Sequence, residues 1–544
     1  MTLNRRKFVQ AGASSLAGAS LLGGSMLTRA ASTAPDTTVF HNGTVLSVDA
    51  AFSEHQALAI RDGKVLALGT EEAVKAAAGR GHRVVDLDGR VVMPGFIEPH
   101  MHFVLLAGLG HLRDVGPFQN PTFESALEAL SEVAKDAASA GAEEWVMARQ
   151  FDPIMLEPPR DLTVKELDKI APDRPVFVLN ASGHIAYVNS VAIKLAGYTK
   201  DTPDPPGGEI GRLDDGSPNG VLYGQSAWMP VLFLNESVAG RMATGFVSAG
   251  RELGQSASAL GITTLCDQAT GALNGADELE AYHQMYDDGL MSARIRAYLY
   301  GARPDWDDDW VKPGMGHSLM KVAGWKLVTD GSNQGFTGRQ RQPYYTEDTK
   351  GLFYIEPDEL RDIVLDRGRR GWQVAMHGNG DAAKDSILDA TEAAKKSGVD
   401  VAASRFRIEH CSILHDEQIA RMKALNMVPS FLINHVHFWG HVMRDQVFGP
   451  EKVLLLDRCR TVEDAGLNWV NHTDAPVSPL GSLHKVRVAV VRDMWKEPDT
   501  ILAPQERVSV ETAIRSVTIN AAKACHSEAE LGSLEPGKLA DLGF

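Results

Sequence analysis

From residue 92 onward the chain alternates short apolar runs with stretches of helical periodicity, and this constrains the fold more than any other feature of its 544 residues. Strand candidates lie at 92–97, 262–267, 294–300, 321–328, 373–377, 406–410, 428–432 and 469–473. Helical stretches at 357–370, 381–397, 415–425 and 455–466 separate the later ones. Parallel strands need a long crossover, which a helix supplies, so the pattern predicts a parallel sheet covered by helices. Eight such units predict a closed (β/α)8 TIM barrel over residues 93–478. An open doubly wound sheet is the alternative, but no glycine-rich phosphate loop follows the first strand.

Two segments stand outside this rhythm. Residues 36–92 carry paired apolar runs around Asn42-Gly43 and around Arg61-Asp62-Gly63, and a further pair across Asp88-Gly89. These are hairpin signals, giving a small β unit with too few strands to close a core alone. The stretch 103–261 is far too long for a loop. It holds helix candidates at 122–140 and 163–170 and a polar, proline-rich part at 201–220, and reads as a lid subdomain inserted over the barrel mouth.

The N-terminus reads as an export signal, residues 1–34. Arg5-Arg6-Lys7 precedes a weakly apolar, glycine-diluted run from Ala11 to Leu27, and Ala30-Ala31 supplies the small residues of a cleavage site. Paired arginines mark the twin-arginine type, so the export machinery for folded proteins is an expected partner and the periplasm an expected location. The run is too short and polar for a stable membrane span after cleavage. A net charge of −16 and the lack of any basic block exclude nucleic acid as a partner. Four scattered cysteines with no Cys-x-x-Cys pair provide neither a disulfide framework nor a thiolate metal site.

The chemistry gathers at strand ends. His100 and His102 share one face at the end of the first strand, because residues i and i+2 point the same way. His377 closes the fifth strand, His410 the sixth and Asp474 the eighth. Barrel active sites are assembled from these C-terminal ends. Imidazole and carboxylate donors without thiolate suit zinc ahead of manganese or iron.

Pro94-Gly95-Phe96-Ile97 leading to His100-x-His102, the His377 and His410 strand ends and Asp474-Ala475-Pro476 resemble the amidohydrolase superfamily. Gly183-His184-Ile185-Ala186, Lys326-Leu327-Val328-Thr329-Asp330 and Leu534-Glu535-Pro536-Gly537-Lys538 narrow the resemblance to amidohydrolase family 3, which includes N-substituted formamide deformylases. It runs from about residue 38 to 542. It implies a barrel with a small β-sandwich built from both chain ends, residues 36–92 and part of 479–544. It implies a small-molecule substrate and one or two Zn2+ ions: His100 and His102 on one, His377 and His410 on the other, Lys326 bridging if carboxylated, and Asp474 beside the first. Lys326 has a plainer reading, an ion pair with Asp330. The implied reaction is attack of metal-activated hydroxide on a non-peptide amide, N-formyl or N-acyl bond, with Asp474 moving the proton. His184 either stabilises the oxyanion or makes a structural hydrogen bond under the lid, while Asn189 and Asp381 orient loops. A lactonase, esterase or deaminase would use the same site, and a catalytically silent metal-binding regulator would keep the barrel.

Several residues depart from the family pattern. Glu98-Pro99 stands where Asp-Ser is usual, and His472 replaces a small residue close to Asp474. The segment 434–441 adds His435, His437 and His441, which line the pocket or are taken up by packing. His437 and His472 are the candidate substrate contacts. Leu542-Gly543-Phe544 ends the sequence where more sandwich strands are expected, so the small domain is expected to lack an edge.

Overall fold

The computed structural model describes residues 37–141, 143–302, 306 and 310–544; the signal segment 1–34 lies outside them. Eight strands form one all-parallel sheet in chain order: β1 (Phe96–Met101), β2 (Ile262–Thr270), β3 (Arg294–Tyr300), β4 (Met320–Val328), β5 (Val374–Gly378), β6 (Arg407–His410), β7 (Val428–Phe431) and β8 (Val470–Asn471). The ring is drawn together at its seam, where the Asp474 N–H donates to the His100 carbonyl (3.1 Å) and the His102 N–H to the Ala475 carbonyl (2.8 Å). The predicted barrel therefore stands. Its strands are buried on both faces, as parallel strands under helices must be.

The first strand is placed differently from the 92–97 expectation. The apolar run from Val91 to Met101 divides at Gly95: Val91–Pro94 belongs to the small β unit, and β1 begins at Phe96. A side chain at Gly95 would fall about 2.3 Å from Thr263, so only glycine lets the chain pass from one sheet to the other here.

The small unit is two four-stranded sheets. One orders Lys64–Gly69, Ala57–Arg61, Thr37–His41 and Arg83–Asp86; the other orders Leu542–Gly543, Val91–Pro94, Thr44–Leu46 and Glu54–His55. The Arg61-Asp62-Gly63 hairpin forms as expected, with both turn residues in the left-handed region. The Asn42-Gly43 turn does not make a hairpin; its flanking strands enter different sheets, because Gly43 lies against the Arg90 carbonyl where no side chain fits. Val45, Leu58, Val65, Leu87, Val92 and Leu534 fill the space between the sheets, each burial contributing roughly 1.5–3 kcal/mol. Leu534 and the edge strand Leu542–Gly543 come from the far end of the chain, so this core depends on both ends.

The 103–261 stretch holds more than its helix signals suggest. Phe123–Ala140 and Val164–Ile170 form as predicted, each opened by a threonine capping box. Beside them runs a mixed six-stranded sheet: Glu209–Arg212, Pro218–Tyr223, Ile185–Val188, Val176–Asn180, Val146–Phe151 and Arg113–Asp114. This subdomain is pinned to the barrel's C-terminal side, with Gln150 donating to the Pro476 carbonyl (2.7 Å) and Trp439 to Asp152 (2.8 Å). No helix among the described residues is long and apolar enough to cross a membrane. All four cysteines are buried and free.

Candidate metal centre

The strand ends deliver their polar side chains to one point. Asp474 Oδ1 lies 3.0 Å from His102 Nε2 and 3.2 Å from His100 Nε2. His410 Nδ1 stands 3.8 Å from Asp474 Oδ2, and Lys326 Nζ lies 3.3 Å from His100 Nε2. The His377 and His410 rings are 4.3 Å apart, and His184 reaches in from the inserted subdomain with its ring 4.8 Å from His377. All of these residues except His100 line a cavity of about 960 Å³, mouth included. His100 is wholly buried behind them.

These groups fit a divalent ion. Ligand atoms of His100, His102 and Asp474 all lie within 4.8 Å of one another. Donors about 2.1 Å from a shared ion stand roughly 3–3.4 Å apart, which is the spacing of Asp474 Oδ1 from both imidazoles. Asp474 Oδ1, His102 Nδ1, His410 Nδ1 and His184 Nδ1 are buried without a hydrogen-bond partner among the described residues. Unsatisfied buried polar atoms in such a set are the mark of a ligand site.

The surrounding charges set the protonation states. Burial pushes the Asp474 carboxyl up, but the His100 and His410 imidazoles beside it hold it well below the usual carboxylate range. Burial lowers His377 and His410 well below the ordinary imidazole value, and lowers His184 to about 4, so the rings are neutral and able to ligate. Lys326 is brought down to about 8, again chiefly by burial, with Glu409 and Asp474 acting against the shift. Two of these positions are conformationally costly. His410 (φ 72) and Asp474 (φ 56) occupy the left-handed region, which non-glycine residues enter where the surrounding structure enforces it.

Of the two readings of Lys326, the ion pair with Asp330 is absent. Asp330 instead accepts the backbone N–H groups of Arg339, Asn379 and Gly380 (2.7–3.1 Å) and faces His377 Nε2 at 3.4 Å. Asn189 and Asp381 organise loops as expected. Asn189 caps Ser190–Ala196 and bonds three other backbone groups, and Asp381 gathers Arg341, His415 and Lys452.

The two candidate substrate contacts are corrected. His472 is wholly buried and stacks on His100 with ring centres 4.5 Å apart, behind the ligands and off the cavity wall. It stands between the end of β8 and the turn that carries Asp474, wholly buried behind that turn. His437 packs against His484 (4.9 Å) and Phe438, with its Nδ1 3.1 Å from the Asp493 carbonyl, away from the cavity.

Carboxylates behind the ligands orient the site, and one of them, Glu409, was not singled out from the sequence. Glu409, next to His410, takes the Nδ1 side of His100 at 2.7 Å and is clamped by Arg407 at 2.6 and 3.0 Å. A carboxylate behind a ligating imidazole fixes its tautomer and direction. Glu98, the departure noted above, forms a buried ion pair with Lys485 (2.7 Å) and accepts the Thr473 N–H (3.0 Å), tying β1 to the turn that carries Asp474. The Arg407-Ile408-Glu409-His410 run held a signal for the first, since residues i and i+2 on a barrel strand share a face.

A sequence model of the amidohydrolase family matches residues 83–543. Among characterised proteins, the chain is 28% identical to an N-substituted formamide deformylase from Arthrobacter pascens, covering 92% of each. It is 29% identical to the protein LONG AFTER FAR-RED 3 of Arabidopsis thaliana, covering 92% of this chain and 85% of that one. Among solved structures, an uncharacterised metal-dependent hydrolase from Pyrococcus horikoshii shares the fold with a TM-score of 0.72 at 23% identity, covering 93% and 97% of the two chains.

Proposed function

The chain belongs to the amidohydrolase family, and from that footing we propose that it is a metal-dependent hydrolase of non-peptide C–N bonds whose substrates are N-formyl or N-acyl amides. The observation that carries this reading is the convergence of His100, His102 and Asp474, their ligand atoms within 4.8 Å of one another, on a cavity walled mostly by apolar side chains. The Arthrobacter relative, a formamide deformylase by name, favours the same bond.

In this reading His100, His102 and Asp474 would hold zinc, and His377 and His410 a second ion. Lys326, with Nζ 3.3 Å from His100 Nε2, would bridge the two if carboxylated, and its lowered pKa of about 8 favours the neutral amine that carboxylation requires. The ion supplies Lewis acidity, bringing the pKa of water to about 7 and polarising the carbonyl. Asp474, held ionised, takes the proton of the attacking water and returns it to the departing nitrogen. His184, neutral and with Nδ1 unsatisfied, donates to the carbonyl oxygen as negative charge develops there. Leu105, Leu109, Trp228 and Leu273 receive an apolar substituent and exclude water. Export through the twin-arginine route, with removal of residues 1–34, belongs to the same proposal and rests on the Arg5-Arg6 pattern.

A substrate panel of formamides, acyl amino acids, lactones and esters, run with zinc-loaded protein, tests the reading. Amides with an apolar substituent are expected to be hydrolysed best. Turnover confined to lactones or esters would overturn the assignment to C–N bonds.

A further inference from the structure

Gln268 stands near the C-terminal end of β2. The register of β2 against β1 pairs Asp267 with Met101, which sets Gln268 alongside His102. Asp267 is fully occupied, accepting the Phe103 N–H (2.9 Å) and the hydroxyls of Thr270 (2.5 Å) and Tyr282 (2.8 Å). Gln268 is the opposite case. Its exposure is 0%, and neither Oε1 nor Nε2 has a hydrogen-bond partner among the described residues. Yet it lines the same cavity as His102, Lys326 and Asp474.

An unsatisfied buried carboxamide is costly, and a leucine or methionine would fill the space without that cost. Apart from metal-centre atoms and Trp228 Nε1, which also lack partners among the described residues, two polar neighbours on the wall are settled. Tyr300 donates to Gln225 elsewhere on the cavity wall, and Arg149 is engaged by the Leu112 carbonyl (3.2 Å) and by Asp114 (3.9 Å). Gln268 thus brings one unpaired acceptor and one unpaired donor to this wall.

Resting on the amide-hydrolase reading, we propose that Gln268 is a specificity-determining residue: its Oε1 accepts the N–H of a neutral secondary amide, so the enzyme distinguishes that amide from the ester in which oxygen replaces the N–H. A site built to bond a substrate N–H discriminates strongly against the analogue without it, because its own polar group is then left unpaired.

The test is a two-by-two comparison of kcat/KM: wild type and Gln268→Leu, each on a neutral secondary amide and on the matching ester. The variant is expected to lose about 10- to 100-fold on the amide while staying within about twofold on the ester. Metal content and thermal midpoint should not fall, since an unsatisfied buried group is removed. Gln268→Met, which keeps the length, carries the same expectation should the leucine variant not fold. Equal losses on both substrates, or no loss on the amide, would overturn the role of Gln268 while leaving the hydrolase reading intact. Failure of the wild-type, metal-loaded enzyme to hydrolyse any amide would overturn both.

Discussion

Two histidine-rich regions lie near the barrel mouth, and they have opposite fates. At the strand ends, His100 and His102 from the end of β1, His377 from β5 and His410 from β6 come from three strands and meet around Asp474. After β7, His435, His437 and His441 are closer together in sequence but end in packing. His437 rests on His484 and Phe438, His435 on Trp439 and the Ser412 hydroxyl, and Phe438 on Phe118 and Trp495. Among the described residues no group of three potential ligands forms there. Histidine density in a sequence therefore says little. A metal centre needs imidazoles from separate strands sharing one carboxylate, with a cavity in front and orienting groups behind.

The comparison is broken most directly by removing the shared carboxylate. Asp474→Asn is expected to cut kcat by about a thousandfold through loss of the proton carrier. Amide-hydrolysis kinetics of the metal-loaded variant check this, and a wild-type rate would remove Asp474 from its role. Acid lability, which buried His435 shares with the buried histidines of the metal centre, tests the packing assignment of the second cluster. His435 titrates near 6.5 unfolded and at about 4 folded, lowered chiefly by burial. Between those values the unfolded chain binds a proton that the folded chain refuses, so this residue costs stability as pH falls from 6.5 toward 4. His435→Gln should therefore gain stability relative to wild type on acidification, by on the order of 3 kcal/mol at pH 4. Urea unfolding of both metal-free proteins at pH 7 and pH 4.5 measures the difference, and a difference independent of pH refutes the buried neutral assignment.

The contrast is sharpened by two milder changes. Glu409→Gln leaves every ligand in place but removes the carboxylate behind His100, and should weaken metal affinity by about 10- to 100-fold in a chelator competition. His437→Ala should leave metal content and kcat within about twofold of wild type. The reverse order of sensitivity would mean that the two clusters had been assigned the wrong way round.

The barrel was legible because buried parallel strands are short apolar runs and their crossovers carry helical periodicity. The metal centre was legible because strand alternation and strand ends put His100, His102, His377, His410 and Asp474 on one rim. What stayed hidden depends on depth and neighbours, which periodicity does not encode. His472 lies two residues before Asp474, past the end of β8, and its stacking on His100 behind the ligands depends on depth rather than on position in the motif. The division of 91–101 at Gly95 follows from Thr263 lying against it, a contact across 168 positions of sequence. The inserted sheet was missed because its antiparallel strands, such as Ile185–Val188 and Pro218–Tyr223, pair over irregular connections that give no repeating signal. Glu409 was visible as part of a motif, but its partner His100 lies 309 residues away.

Hydrolysis here depends on a divalent ion held by strand-end imidazoles and the one carboxylate of Asp474. Metal analysis of the purified protein, paired with amide hydrolysis before and after chelation, tests it most directly. The account predicts one to two equivalents of divalent metal, loss of activity when the metal is stripped and recovery when zinc is returned. Full turnover by metal-free protein would contradict it.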